Sequence, residues 1–274
     1  MRTTTRVDRI RLVVLDWAGT AVDFGCFAPV RPFVEALARA GVTISDRQAR
    51  GPMGLAKRDH LEELFRLPEV AAQWRQRHRR DWNAADVEQV YREHFMPLQI
   101  ECAGTCSRVV PGLLEAVEHL HRRGIKVGTT TGYFREAADV AFRAAREQGY
   151  HPDHNVIPAD VSAGRPAPWM IFRNMEVLGV CPPAAVLKVG DTVFDIEEGL
   201  NAGAWSAGVV DSSSDVGLTE EQFAELSDAQ RGERTAAVAD RLRRAGAHDI
   251  IRTVAELPAL IERIDARLRT GEKP

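Results

Sequence analysis

Four short stretches of this chain place a carboxylate, a hydroxyl or a guanidinium directly after an apolar run or a turn. The first is Asp16-Trp17-Ala18-Gly19-Thr20, where a carboxylate ends the apolar run 11–15 and a glycine follows. The second, Thr130-Thr131-Gly132-Tyr133, offers hydroxyl and backbone N–H groups at a helix start, a place that suits a phosphoryl oxygen. The third, Ala163-Gly164-Arg165-Pro166, brings a permanent cation to a Pro-rich helix entry. The fourth, Val189-Gly190-Asp191-Thr192-Val193-Phe194-Asp195, carries two carboxylates at i and i+4 after another apolar run. Singly, each has an ordinary explanation, since an Asp at a strand end often caps a turn and a Thr-Gly pair often caps a helix. Carboxylates without His or Cys neighbours form an oxygen-rich set that suits a hard cation, with Mg²⁺ the natural candidate. Together with a threonine and an arginine, they fit phosphoryl transfer, where positioning and neutralisation of oxygen charge supply most of the catalysis.

A fifth stretch adds a different chemistry. Pro52-Met53-Gly54-Leu55-Ala56-Lys57-Arg58-Asp59-His60 sets Lys57 at a helix start, with His60 three residues on and on the same face. A lysine there is usually a solvated charge, and a lone histidine is more often structural than catalytic. As an amine nucleophile Lys57 would have to be neutral. Bringing it from about 10.4 to near neutrality amounts to roughly 4 kcal/mol, which a desolvated pocket can supply. Such an amine could condense with an aldehyde, and the iminium could accept an electron pair released from carbon. His60 could then shuttle protons during imine formation.

The elements that must position these groups are legible in outline. The runs 11–15, 125–129 and 186–190 read as buried parallel strands, each ending in polar residues. Helical patterns at 113–123 and 136–148, closed by Gly124 and Gly149, alternate with them as βαβ units require. The expected fold is α/β, a doubly wound parallel-sheet (Rossmann-like) core that binds ligands beyond the carboxyl ends of its strands. Between Asp23 and Gln99 strand signals vanish, and helices are expected at 34–40, 59–66, 70–80 and 86–95. This predicts an α-helical cap at 24–100 inserted into a core of 1–23 and 101–274, with hinges near 23–24 and 101–111. Further helix text stands at 219–226 and 233–244.

With 274 residues, 45% of them apolar, and a net charge of −3, the chain can bury a large core and has no field to draw it to nucleic acid or an anionic membrane. A small-molecule substrate is the expected partner. No apolar run is long enough to span a bilayer, and the charged start 1–10 lacks a signal-peptide pattern, so a cytoplasmic protein is expected. Cys26, Cys102, Cys106 and Cys181 are too scattered for a disulfide framework. They also lack the paired spacing of a zinc site.

In their order from Asp16 to Asp195, the four motifs resemble those of the haloacid dehalogenase superfamily. The stretch 52–60, with 16–29 and 130–136, is similar to the phosphonoacetaldehyde hydrolase family within it, over nearly all of 12–247. That resemblance implies hydrolysis of phosphonoacetaldehyde in 2-aminoethylphosphonate degradation, with Asp16 as nucleophile forming an aspartyl-phosphate and Lys57 as the Schiff-base amine. It implies Mg²⁺ held by Asp16, Asp191 and the Ala18 carbonyl, with Asp195 in support. Met53, Gly54, Lys57 and His60 would be the cap's contribution. Thr131 would bind a phosphoryl oxygen, and Cys26, Gly132, Tyr133 and Arg165 would line the rest. A homodimer built through cap helices is implied, with Trp74 and Trp82 as interface anchors or as core residues. Two positions depart from common patterns. Phe194 stands where a small hydroxyl residue is commoner. Ala18 stands where the superfamily usually has a second Asp that protonates an alkoxide, a general acid worth about 10²–10⁴ in rate. A carbon leaving group would not need that acid.

Overall fold

The computed structural model describes residues 7–274. Its centre is a six-stranded sheet of Leu12–Leu15 (β1), Lys126–Thr130 (β2), His154–Val156 (β3), Val186–Gly190 (β4), Trp205–Val209 (β5) and Asp249–Ile251 (β6). The order is β3-β2-β1-β4-β5-β6 and every neighbouring pair is parallel. Helices cover both faces, so β1, β4 and β5 are buried along their whole length; β1 and β4 read as near-continuous apolar runs, whereas β5, Trp205-Ser206-Ala207-Gly208-Val209, is not anticipated from the sequence.

Between β1 and β2 the chain leaves the sheet for six helices: Phe27–Arg39 (α1), Asp46–Arg50 (α2), Lys57–Arg66 (α3), Pro68–His78 (α4), Ala84–Gln89 (α5) and Met96–Cys106 (α6). A π-helical turn, Val90–Phe95, joins α5 to α6 into one run. Each expected helix overlaps these elements, that at 86–95 covering α5 and the π-helical turn, with most bounds moved by about two residues and two expectations moved further. The helix expected at 34–40 is the second half of α1, whose earlier turns contain Pro29 and Pro32 and read as a break. The carbonyl that Pro32 leaves without an N–H is that of Ala28, and buried Gln99 on α6 donates to it at 3.3 Å. The expected boundary at 100/101 lies inside α6, which continues to Cys106 before the chain returns through 107–112. There the two connections run side by side: Val22 bridges Val109, and the Asp23 N–H donates to the Arg108 carbonyl at 2.9 Å.

These helices have their own apolar core around Phe33, Leu37, Leu61, Phe65 and Phe95. Trp74 belongs to it, edge-on to Phe65 at 5.0 Å, and half-buried Trp82 lies 5.6 Å from the same ring. Each large side chain so buried contributes about 1.5–3 kcal/mol. The remaining helices flank the sheet: Leu113–Arg122 (α7), Arg135–Glu147 (α8), Trp169–Leu178 (α9), Val193–Asn201 (α10), Glu220–Glu225 (α11), Asp228–Arg244 (α12) and Leu257–Thr270 (α13). All four cysteines are free thiols. Among the described residues no helix is long and apolar enough to cross a membrane.

Candidate active site

Strands β2, β1 and β4 are neighbours, so their carboxyl ends lie side by side about 4.8 Å apart. The chain builds outward from β1 in both directions, and the reversal falls between β1 and β4, where an open α/β sheet leaves a crevice. Asp16 follows β1 with its N–H donated to the Val189 carbonyl at 2.9 Å. Thr130 ends β2 and Thr131 follows it, while Asp191 follows β4. Asp195 sits in the first turn of α10, in a capping box with Thr192.

Arg165 reaches this row from the loop before α9. Its guanidinium is 2.7 Å from Asp16, 3.1 Å from Asp195 and 3.0 Å from Glu198, and it donates to the Thr130 carbonyl at 2.8 Å. Lys188 on β4 is fully buried, 2.9 Å from Asp195 and 3.2 Å from Glu198, and donates to the Thr130 hydroxyl at 2.8 Å. Burial opposes the Asp195 charge, but Arg165 and Lys188 override it and hold that carboxyl below its usual range. Burial likewise opposes the Arg165 charge, and Asp195, Asp16 and Glu198 together outweigh it. Two cations and three carboxylates thus form one closed network.

Asp191 has no such partner. It is fully buried, and accepts only from the Ser214 N–H at 2.8 Å and the Thr20 hydroxyl at 3.3 Å. Burial pushes its carboxyl well above the ordinary range, and the charges of Asp16 and Asp195 push the same way. Carboxylate oxygens of Asp16, Asp191 and Asp195 all lie within 4.8 Å of one another. Arg165 and Lys188 are two cations against Asp16, Asp191, Asp195 and Glu198, so the cluster carries excess negative charge, and Asp191 among them has no cation partner among the described residues. A buried carboxylate without a cation fits a hard metal ion, so the residues present suit one.

The inserted helices close over this row. Lys57 at the start of α3 donates its N–H to the Gly132 carbonyl at 3.1 Å. Two glycines permit the approach. Gly54 has φ +106, and a Cβ there would meet the Thr192 hydroxyl oxygen at 2.5 Å. A Cβ on Gly132 would meet the Leu55 carbonyl oxygen at 2.2 Å. Phe194, unusual by comparison with the expected small hydroxyl residue, packs against Gly54 on the same boundary. The cavity between the inserted helices and this row is lined by Asp16, Ala18, Cys26, Met53, Gly54, Lys57, Thr131, Gly132, Tyr133, Arg165 and Thr192, and its volume of about 10 Å³ leaves room for about one water molecule.

The Lys57 amine is 4% exposed, 3.8 Å from the Met53 sulfur and 5.4 Å from the centre of the Tyr133 ring. Burial lowers it below the usual lysine range, with the Asp16 charge opposing and Arg165 adding to the fall. Burial raises the Cys26 thiol and the Tyr133 phenol well above their ordinary values, so both are neutral neighbours. His60 stands apart from the lining. It stacks on Phe33 at 3.8 Å with Nε2 2.8 Å from the Ala49 carbonyl, and its Nδ1 has no partner. Burial, followed by the Lys57 charge, lowers it well below the usual histidine range. Ten of the eleven lining residues carry or flank a sequence-predicted role. Thr192 joins them through its hydroxyl, and Asp191 and Asp195 stand just behind.

The sequence pattern of the haloacid dehalogenase-like hydrolases matches residues 10–203. A phosphonoacetaldehyde hydrolase of Syntrophobacter fumaroxidans is 46% identical, over 97% of this chain and 95% of its own. The chain belongs to the phosphonoacetaldehyde hydrolase family. A bifunctional phosphonoacetaldehyde hydrolase/aminoethylphosphonate transaminase of Clostridioides difficile is 39% identical over 94% of this chain and 40% of its own. The crystal structure of a phosphonoacetaldehyde hydrolase-like protein from Oleispira antarctica superposes with a TM-score of 0.95 at 37% identity, covering 98% of this chain and 97% of that one. Membership makes the chain a hydrolase of the haloacid dehalogenase fold.

Two residues of the charged network escaped sequence reasoning, Lys188 and Glu198, while Thr130, read there as a possible phosphoryl-binding hydroxyl, instead accepts from Lys188 and Arg165. Lys188 interrupts an apolar strand, Val186-Leu187-Lys188-Val189, and a charge inside a fully buried run is the signal that could have exposed it. Glu198 lies one turn after Asp195 on α10, on the face toward Lys188, but nothing local separates it from Glu197.

Proposed function

We propose that this chain hydrolyses phosphonoacetaldehyde to acetaldehyde and phosphate, serving degradation of 2-aminoethylphosphonate. The observation that carries the reading is a desolvated amine, Lys57, opening into the same small cavity as the carboxylate of Asp16, with Ala18 where an alkoxide acid would stand. The transaminase half of the Clostridioides difficile relative supports the pathway.

The neutral Lys57 Nζ adds to the aldehyde carbon, and loss of water gives an iminium. Asp16 then attacks phosphorus. The electron pair of the C–P bond passes into the iminium to give an enamine, and the phosphoryl group is left on Asp16 as an aspartyl-phosphate. Water cleaves that mixed anhydride to phosphate. Protonation of the enamine carbon and hydrolysis of the imine release acetaldehyde and free Lys57. Arg165, fixed by three carboxylates, aligns Asp16 through the 2.7 Å contact, and Thr131 and Gly132 present hydroxyl and N–H donors to phosphoryl oxygens. His60, neutral and with Nδ1 unpartnered, is assigned the proton transfers of imine formation, acting from behind Lys57. Cys26, Met53 and Tyr133 keep the amine dry. Mg²⁺, held by Asp16, Asp191 and the Ala18 carbonyl, would neutralise phosphoryl charge.

The helical segment acts as a cap in this reading, and the course of α6 supports extending it from 24–100 to 24–106. A cytoplasmic homodimer joined through the cap is part of the same proposal. Phosphate release from phosphonoacetaldehyde, measured against a panel of phosphate monoesters with Mg²⁺, tests it. Selective release from the phosphonate is expected. Preference for monoesters would replace it with a P–O phosphatase.

A further inference from the structure

The active cavity, at about 10 Å³, is too small for any substrate to enter without movement at its rim. A row of adjoining cavities leads outward from it. A small space lined by Arg50, Gly51, Phe194, Ser214 and others shares Met53 and Thr192 with the active cavity. That space in turn shares Arg50, Gly51, Asp215 and Arg241 with an open cleft of about 640 Å³ between α2 and α12. The three form a row from solvent to Asp16.

The charges along that row are one-sided. Arg47, Arg50, Arg234 and Arg241 face it against Asp46 and Asp215. Arg241 is paired with Asp215 at 2.8 Å, whereas Arg47 and Arg234 are exposed and, among the described residues, without a carboxylate partner. At the junction Arg50 donates Nη1 to the Gly25 carbonyl at 2.6 Å and to the Ser214 carbonyl at 2.7 Å, while its Nη2 is buried with no acceptor. An unsatisfied guanidinium donor is a group that an oxyanion would complete. The other cleft beside the cap connection, lined by Asp23, Glu220 and Glu221 against Arg31 and Arg108, shares no residue with the active cavity and is acidic on balance.

We propose that the arginine-lined cleft is the entrance through which a phosphonate or phosphate dianion reaches the active cavity and leaves it. Arg47 and Arg234 raise the local anion concentration, and Arg50 receives the anion at the neck as its contacts to Gly25 and Ser214 open. The identity of the dianion rests on the function proposed above; the route does not.

Arg47→Gln/Arg234→Gln tests the entrance without touching the active cavity. With phosphonoacetaldehyde at low ionic strength, kcat/KM should fall about three- to tenfold while kcat stays within about twofold, and the gap should close as salt is raised. Trapping of uncharged acetaldehyde on Lys57 by borohydride should be unchanged. Equal kcat/KM and equal salt dependence in the two proteins would overturn the proposal, and so would a parallel fall in acetaldehyde trapping, which would mark a structural defect. If the wild-type protein releases no phosphate from phosphonoacetaldehyde, the functional reading fails and the entrance is judged on inorganic phosphate alone. Calorimetry on the Mg²⁺-loaded protein should then show weaker and less salt-sensitive phosphate affinity in the double variant. Identical affinities at every salt concentration would overturn it.

Discussion

Two buried lysines, Lys57 in the lining of the active cavity and Lys188 in the ion-pair network around Asp195, meet opposite surroundings. Lys188, beneath the cavity on β4, has carboxylates at 2.9 and 3.2 Å and a threonine hydroxyl at 2.8 Å. Lys57, above it on α3, has a thioether at 3.8 Å and an aromatic face at 5.4 Å. Both are almost wholly removed from water, at 0% and 4% exposure. Lys188 is held by two carboxylates within ion-pair distance, whereas Lys57 has none among the described residues, and burial lowers Lys57 below the usual lysine range. The sheet side of the cavity is a closed set of ion pairs that holds Asp16 in place, and the cap side is a dry chamber that favours an uncharged amine.

The largest effect should come from Asp16, the nucleophile proposed above. Asp16→Asn keeps shape and Arg165 contact but cannot form an acyl-phosphate, so turnover should drop by about 10⁴-fold or more with an unchanged circular dichroism spectrum. Near-normal phosphate release would remove Asp16 from the mechanism.

Replacing each lysine by methionine sharpens the contrast. Lys188→Met strands Asp195 and Glu198 with Arg165 as their one remaining cation, and should destabilise the fold by about 3–5 kcal/mol, roughly 10 °C in Tm. Lys57→Met should abolish activity yet leave Tm equal or higher, because a desolvated amine is replaced by an apolar chain of similar length. Equal losses of Tm in the two variants would break the distinction.

Asp191 extends the comparison to carboxylates. Raised by burial and by its acidic neighbours, it is a liability in the metal-free protein, so Asp191→Asn should raise the metal-free Tm, by on the order of 3 kcal/mol in stability, and erase the Tm increase on adding Mg²⁺. A Mg²⁺-dependent increase that survives the substitution would place the metal elsewhere.

The smallest effect concerns the cap connection. Asp23 accepts from the N–H groups of Phe27 and Ala28 at 3.0 and 2.7 Å, and burial raises its carboxyl from 3.8 to about 6. A native carboxyl raised in this way keeps its proton in the folded state after the unfolded state has lost it. Its contribution to stability is therefore full below pH 4 and is lost as the pH rises through 6, by on the order of 1–3 kcal/mol. In Asp23→Asn that loss should vanish, and parallel Tm–pH curves for the two proteins between pH 4 and 7 would contradict the assignment.

How much of this was legible in the sequence depended on range. Strands β1, β2 and β4 announced themselves because full burial makes them continuous apolar runs, and the polar residues at their ends marked the site. Strand β3, with just three residues, and β6, at the sheet edge, carry too little pattern to register. The true start of α1 was hidden by Pro29 and Pro32, since the repair by Gln99 comes from 67 positions later. The same limit hid Glu198 and the arginine-lined cleft, which exist only once α10 meets β4 and α2 meets α12. Cavity-lining residues were found through local motifs, whereas His60, three residues from Lys57, turned out to lie behind the amine rather than in the cavity.

The central claim is that Lys57 is the amine that forms an imine with the substrate aldehyde, and reductive trapping tests it most directly. Incubation with phosphonoacetaldehyde or acetaldehyde followed by borohydride should inactivate the protein irreversibly and leave one mass increment, carried by the peptide containing Lys57. Lys57→Arg should abolish both the increment and turnover, because a guanidinium stays protonated and does not condense with an aldehyde. An increment on Lys126 or Lys188 instead, or full turnover in Lys57→Arg, would contradict the account.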